Sequence, residues 1–224
     1  MYNKWIVNIR KRGMNMDYTM PDNYIEFELG WYRKYNFKNE ANELLKVLDC
    51  SKKENDIQSY IKDNQKWFIP ASIFKEYNFG HHEAFIVPEQ ALGAEYRADY
   101  MLLGRNSIGH QIVLIEFEDV NVDYKIQSAN IESDPVRKGI AQIKDWKRWM
   151  DSNRDYFMKS CGLSNVSRNI PTWGINYCLV VSRRSRMDEI ANQMRGQSQY
   201  ETPALRIVTY DRLVDNVKML GNGF

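Results

Sequence analysis

The chain has 224 residues, of which 43% are hydrophobic, 13% aromatic and 27% charged, and its net charge is +2. Those proportions describe a folded α/β globule of one sizeable domain, with room for an N-terminal extension, and exclude a disordered chain. They also exclude a protein that coats nucleic acid by bulk basic charge, so any such affinity must come from local patches.

Residues 1–37 are aromatic-rich and mixed, and WIVNI and YIEFEL read as short strands of an N-terminal β extension. FKNEANELLKVL then has the apolar spacing of a helix. Ser51 and Glu54 form the Ser-x-x-Glu pattern of a capping box. Ile57, Tyr60, Ile61, Asn64 and Phe68 trace the stripe of the helix it starts, ended by Pro70. Residues 71–81 read as loop, AFIV as strand and PEQALG as turn. Two β-runs follow, ADYMLLG and HQIVLIEFE, joined by the hairpin connection Gly104–Gly109. His81 and His82, in the loop before them, point opposite ways on an extended chain and are poorly placed for joint metal binding.

Residues 119–134 are polar and irregular. Pro135 opens a long amphipathic helix, PVRKGIAQIKDWKRWMDSNRDYFM, with Val136, Ile140, Ile143 and Met150 facing inward. Trp146 and Trp149 on it read as packing residues, one inward and one half-exposed. After a loop over 161–173, INYCLVV reads as a buried strand with Cys178 as a small core residue. Helix SRMDEIANQMRG, strand LRIVTY and helix YDRLVDNVKML complete the chain, with GNG at 221–223 as cap and tail. The order predicts a mixed central β-sheet flanked by α-helices, with residues 1–50 as an extension of strands plus helix and 51–224 as the main domain.

Cys50, Cys161 and Cys178 have no metal-ligand spacing, and their odd number argues against a disulfide framework. No apolar run approaches the ~20 residues of a membrane span. The opening MYNKWIVNIRKR lacks the apolar stretch of a signal peptide, so a reducing cytoplasm is the expected setting.

The chemistry concentrates in three acids. Asp99 lies in one apolar strand, and Glu116 and Glu118 close the next on one face, with Phe117 on the other. A buried acid is costly unless paired or bound to a metal. Pairing the strands around their turn brings Asp99 roughly opposite the Glu116–Glu118 end, and carboxylate oxygens suit Mg²⁺ or Mn²⁺. The competing reading is an acidic strand end in solvent, paired with Arg97 or Arg105. Candidate nucleic-acid patches are Arg10–Lys11–Arg12, Lys144–Lys147–Arg148 and Arg183–Arg184–Arg186, each equally readable as a solvated face.

ENDIQSYIKDNQKWF, AEYRADYMLLG, IVLIEFEDV, GIAQIKDWKRWM and LRIVTYDRL, in that order over about residues 51–215, resemble the PD-(D/E)xK restriction-endonuclease-like superfamily, and more narrowly the nuclease domain of Shedu anti-phage defence proteins. The resemblance implies a metal-dependent endonuclease acting on DNA, an oligomeric (tetrameric) assembly and a Mg²⁺ or Mn²⁺ cofactor. It matches Asp99 to the strand aspartate, Glu116 to the first acid of the E-x-K element, Glu54 to the acid of the first helix and Gln142 to the glutamine after the sheet.

Glu118 departs from the pattern, standing where lysine is usual. That lysine orients the attacking water and stabilises charge on the phosphate. Three explanations stay open: Glu118 serves as a further metal ligand or base, Lys138 on the long helix supplies the ammonium, or the domain is a catalytically silent nucleic-acid-binding module. Outside the resemblance, Glu54 is explained by its capping box and Gln142 as an exposed polar residue. A carboxylate pair also serves glycosidases, but Glu116 and Glu118 on one strand are poorly arranged for that reaction.

Overall fold

The computed structural model describes residues 20–27, 34–164 and 170–221. Six strands lie side by side in chain order: β1 (Ile25–Glu26), β2 (Glu83–Leu92), β3 (Tyr96–Asn106), β4 (Gly109–Phe117), β5 (Ile175–Val180) and β6 (Leu205–Val208). Strands β1 to β4 pair antiparallel, and β4, β5 and β6 pair parallel. Parallel neighbours cannot be joined by a tight turn, so each needs a crossover. Helix α3 (Asp134–Ser160) carries the chain from β4 to β5, and α4 (Glu189–Glu201) from β5 to β6. Helices α1 (Phe37–Cys50), α2 (Glu54–Asp63) and α5 (Tyr210–Leu220) complete the fold. It is the mixed sheet flanked by helices that the order of elements predicts.

The sheet separates two apolar layers. On the α3 side, Leu103, Ile112, Leu114 and Leu179 pack with Ile143 and Trp146. On the other side Leu102, Val113, Phe117 and Val180 pack with Leu44 of α1, Ile57 of α2 and Leu213 of α5. Covered on both faces, β4 and β5 become the near-continuous apolar runs IVLI and YCLV. Cys178 is fully buried, and so is Trp146, while Trp149 is half-buried, as the sequence suggests.

Several local expectations are corrected. PEQALG is not a turn: β2 continues through Pro88 to Leu92, and the reversal falls after it at Gly93, whose positive φ of 64° a glycine adopts without strain. A strand containing proline and two polar residues has too few apolar side chains to declare itself. Residues 71–81 are partly helical, with a turn at Phe68–Ala71 running into a 3-10 turn at Ser72–Glu76, both pinned by buried Phe68, Ile69, Ile73 and Phe74.

The α2 stripe ends at Asp63, short of Phe68. Helix α4 begins four residues later than SRMDEIANQMRG implies, because Asp188 caps it by accepting the Ala191 N–H at 2.8 Å. YIEFEL contributes only the two-residue β1 among the described residues, while WIVNI and Arg10–Lys11–Arg12 lie outside them.

The capping box of α2 also differs. Asp56 is the acid that reaches back, accepting the N–H groups of Lys52 at 2.7 Å and Lys53 at 3.1 Å. Ser51 instead donates its hydroxyl to the Val47 carbonyl at the end of α1. Glu54 is therefore released from capping and presents its carboxylate elsewhere.

Candidate active site

Strands β3 and β4 pair rung by rung from Asn106↔Gly109 to Tyr100↔Ile115. One step further, that register sets Asp99 opposite Glu116. The rung is not closed by backbone groups: Asp99 Oδ2 accepts the Phe117 N–H at 2.7 Å, so a carboxylate replaces a carbonyl where the strands part. Phe117 faces the α1–α5 core, leaving Glu116 and Glu118 on the α3 side. Both glutamates are buried, at 7% and 2% exposure, and Glu116 Oε2 has no hydrogen-bond partner.

Helix α3 brings a cation onto this edge. Lys138 Nζ lies 3.0 Å from Glu118 Oε1 and 3.2 Å from Oε2, and 3.9 Å from Glu54 Oε2. Its approach depends on the next residue. A Cβ on Gly139 would stand 2.5 Å from Leu179 Cδ1 and 3.1 Å from Glu118 Cγ, so only glycine lets α3 come this close to β4 and β5. Glu54, at the first position of α2, is held from behind by its N–H, which donates to Asp119 Oδ1 at 3.1 Å.

The electrostatics follow from crowding acids in a desolvated place. Burial pushes the Glu116 carboxyl far above the usual carboxylate range, and the charges of Asp99, Glu118 and Glu54 push the same way. Asp99 is raised by burial, against the Phe117 N–H and a Gln58 hydrogen bond that favour its charged form. Glu118 is pushed up to about 7 by burial, with Lys138 opposing. Partial burial works against the Lys138 ammonium, but the hydrogen bond and charge of Glu118, reinforced by Glu54 and Glu116, hold its pKa above the ordinary lysine value.

A buried carboxylate oxygen with no donor, beside further carboxylates that repel it, is an environment that a divalent cation satisfies. Asp99, Glu116 and Glu118 therefore fit the chemistry of such an ion. Among the described residues, no three acid, histidine or cysteine side chains already stand close enough together to grip one. Mutual repulsion keeps them apart: Asp99 turns to the Phe117 amide, and Glu118 to Lys138.

The other sequence candidates separate. Gln142 lies one turn beyond Lys138 and is half-buried. Lys144 is exposed, whereas Lys147 donates to the Pro203 carbonyl at 2.9 Å and lies over the Tyr177 ring, and Arg148 pairs with Asp145. The Arg183–Arg184–Arg186 cluster is committed to ion pairs: Arg183 with Asp211 and Asp49, Arg184 with Asp215, and Arg186 with Asp123. The competing reading of the acids, an ion pair with a neighbouring arginine, also fails: Arg97 pairs with Glu89 and Arg105 with Glu83.

Two residues escaped the sequence reading. Gln58, one helical turn after Glu54 and on its face, accepts the Tyr100 hydroxyl proton on its carbonyl oxygen at 2.5 Å and hydrogen-bonds Asp99, fixing the carboxylate's orientation. The i,i+4 spacing from Glu54 was the available signal. His110 is buried beside Glu83 at 3.3 Å, at the turn end of the β3–β4 hairpin and away from the acids.

An antiparallel β1–β4 half continued by a parallel β4–β6 half, helices on both faces and carboxylates where β3 and β4 part make up the layout of restriction-endonuclease-like α/β proteins. The sequence pattern of the family described as "Shedu protein SduA, C-terminal" matches residues 51–214, and the chain belongs to that family. A solved structure of the restriction endonuclease FokI bound to DNA is similar over 84% of this chain, at 9% identity and a TM-score of 0.43, and the chain spans 31% of that one. No curated protein matches the chain.

Proposed function

We propose that the chain is a metal-dependent nuclease that hydrolyses DNA phosphodiester bonds in antiviral defence. The observation that carries this reading is the Asp99–Glu116–Glu118 cluster with Lys138 laid across it. Asp99 and Glu116 would hold one Mg²⁺ or Mn²⁺, with Glu118 at its edge. A bound ion of this kind lowers the pKa of water and offsets charge on a phosphoryl group.

The chain's own residues supply the rest. Lys138 stays charged at neutral pH and stands where the lysine of the E-x-K element is otherwise expected, so it orients the attacking water and neutralises charge growing on the phosphate. Glu118, in the strand position of that lysine, anchors the ammonium. Glu54 is its second anchor, and Gln58 keeps Asp99 turned toward the site. Gln142, one turn along α3, contacts a flanking phosphate, with Lys144 further out.

The small net charge favours assembly of several copies, a tetramer by family resemblance, to merge weak basic patches. Among the described residues no helix is long and apolar enough to cross a membrane.

Purified protein should nick or linearise plasmid in Mg²⁺ or Mn²⁺, and Asp99→Ala or Glu116→Ala should abolish this. Equal behaviour of wild type and variants refutes the reading. The separation of the acids favours a second one, a catalytically silent nucleic-acid-binding module, which binds plasmid but leaves it intact in either metal.

A further inference from the structure

On the other side of Asp99 from Lys138, a cleft of about 540 Å³ opens between α2 and the β2–β3 hairpin, within the size range of small-molecule sites. Asp99 and Tyr100 form its floor, so it is continuous with the acidic cluster. Its walls are neither apolar nor simply charged.

Trp67 lines one side, half-buried, with part of its ring against the core and part toward the cleft. Asn55 and Gln58, three apart on α2, line the other with amide groups. The Gln58 amide is held in one orientation by Tyr100 and Asp99, and Asn55 is exposed.

At the rim, Lys62 and Arg97 share a single carboxylate. Lys62 Nζ lies 3.2 Å from Glu89 Oε1, and an Arg97 guanidinium nitrogen 3.2 Å from Oε2. The rim thus carries two cations against one anion, all well exposed. Glu89 takes the left-handed conformation, with φ of 53°, at the rung opposite Asp99 where the β2–β3 pairing is interrupted. A non-glycine residue keeps that conformation only when its surroundings impose it.

An aromatic face, oriented amides and weakly neutralised cations in one recess match the three parts of a nucleotide: a base to stack, base edges to hydrogen-bond and a phosphate to neutralise. A metal ion needs no aromatic wall, and an apolar ligand has no use for the amides. We propose that this cleft receives one unpaired nucleotide adjoining the scissile phosphate, with its base against Trp67, its edge on Asn55 and Gln58, and its phosphate drawing Lys62 and Arg97 away from Glu89. The proposal rests on the nuclease reading for the meaning of "scissile", but the binding it describes does not require cleavage. A base inside a duplex cannot enter such a recess without leaving its stack, so the cleft selects DNA that is single-stranded or locally opened at the cut.

The test is fluorescence anisotropy with the full chain in EDTA, using a labelled oligo-dT strand, the same strand with abasic sites, and a hairpin duplex of equal charge. Trp67→Ala should weaken oligo-dT binding about 5- to 150-fold, the equivalent of one stacked base, and leave duplex affinity within about twofold. Trp67→Phe should restore most of the loss. Wild type should bind the abasic strand as weakly as Trp67→Ala binds oligo-dT.

Should Trp67→Ala fail to fold, exposed Asn55→Ala gives the same contrast, with a loss of about 2- to 12-fold for one hydrogen bond. Equal losses on strand and duplex, or undiminished binding of the abasic strand, overturn the subsite. Those outcomes leave plasmid cleavage untouched, whereas intact single-strand selectivity without any cleavage overturns only the nuclease reading.

Discussion

Lys138 Nζ lies 3.0 Å from Glu118 Oε1, joining helix α3 to the end of β4 with an ion pair whose acid is buried and whose base is largely exposed. The asymmetry makes the two partners answer differently to mutation. Removing the lysine leaves a buried carboxylate near neutral pKa that takes up a proton at modest cost. Removing the acid leaves an ammonium free to turn into solvent.

Lys138→Met should therefore keep its fold, with a melting temperature within a few degrees of wild type, and lose about 10²- to 10⁴-fold in cleavage rate, the usual worth of a positioned acid–base group. Plasmid nicking rates beside thermal melts check this. A variant that still cleaves at the wild-type rate removes Lys138 from the reaction.

Gly139 sets that contact at one remove. Gly139→Ala forces its new methyl into Leu179 Cδ1 and Glu118 Cγ, so α3 must shift outward and carry Lys138 with it. A stability loss of about 1–3 kcal/mol is expected in urea, together with a fall in cleavage rate. Trimming the obstruction in Gly139→Ala/Leu179→Ala should recover part of the rate. No recovery assigns the defect to something other than this clash.

The acids are legible in sequence because charged residues interrupt runs that otherwise read as buried strand, and the alternation of a strand sets Glu116 and Glu118 on one face. Position in chain order could not reveal Asp56 as the capping acid in place of Glu54: both stand within the first turn of α2, and only the path of residues 51–53 decides which reaches back. Proline and polar residues in β2 concealed a strand whose partner, β3, supplies the apolar side chains. Gln58 has no mark of its own in the sequence, since its role comes from Tyr100 and Asp99 two strands away in the chain. Basic clusters were the least informative feature, because the carboxylates that neutralise Arg183, Arg184 and Arg186 come from distant segments.

Arg183 is consequently a structural residue. Buried between Asp49 and Asp211, it ties the end of β5 to α1 and α5. Arg183→Met should cost about 3–5 kcal/mol in urea unfolding by leaving two carboxylates without their cation. Its DNA affinity, measured by filter binding at a temperature where it stays folded, should match wild type. A clear loss of affinity would return this cluster to the nucleic-acid surface.

Stability should also respond to pH. With no metal bound, Glu118 keeps its proton up to about pH 7 in the folded chain, whereas in the unfolded chain it ionises near 4.5. Between those values the folded state binds more protons, so stability falls as pH rises, and the penalty is complete above the folded pKa. Glu116 and Asp99 are shifted in the same direction and add to the effect. Urea midpoints in EDTA should drop from pH 5 to pH 8, and Glu116→Gln should flatten the curve while raising stability at pH 8. A midpoint rising over that range contradicts the raised carboxyls.

The central claim is that Asp99 and Glu116 take up a divalent cation in place of the protons that burial forces on them. Calorimetric titration of the full chain with Mn²⁺ at pH 8 tests it most directly. The account predicts saturable binding that weakens as pH is lowered toward 6 and disappears in both Asp99→Asn and Glu116→Gln. A titration without heat in the wild type, or binding that survives both substitutions, contradicts it.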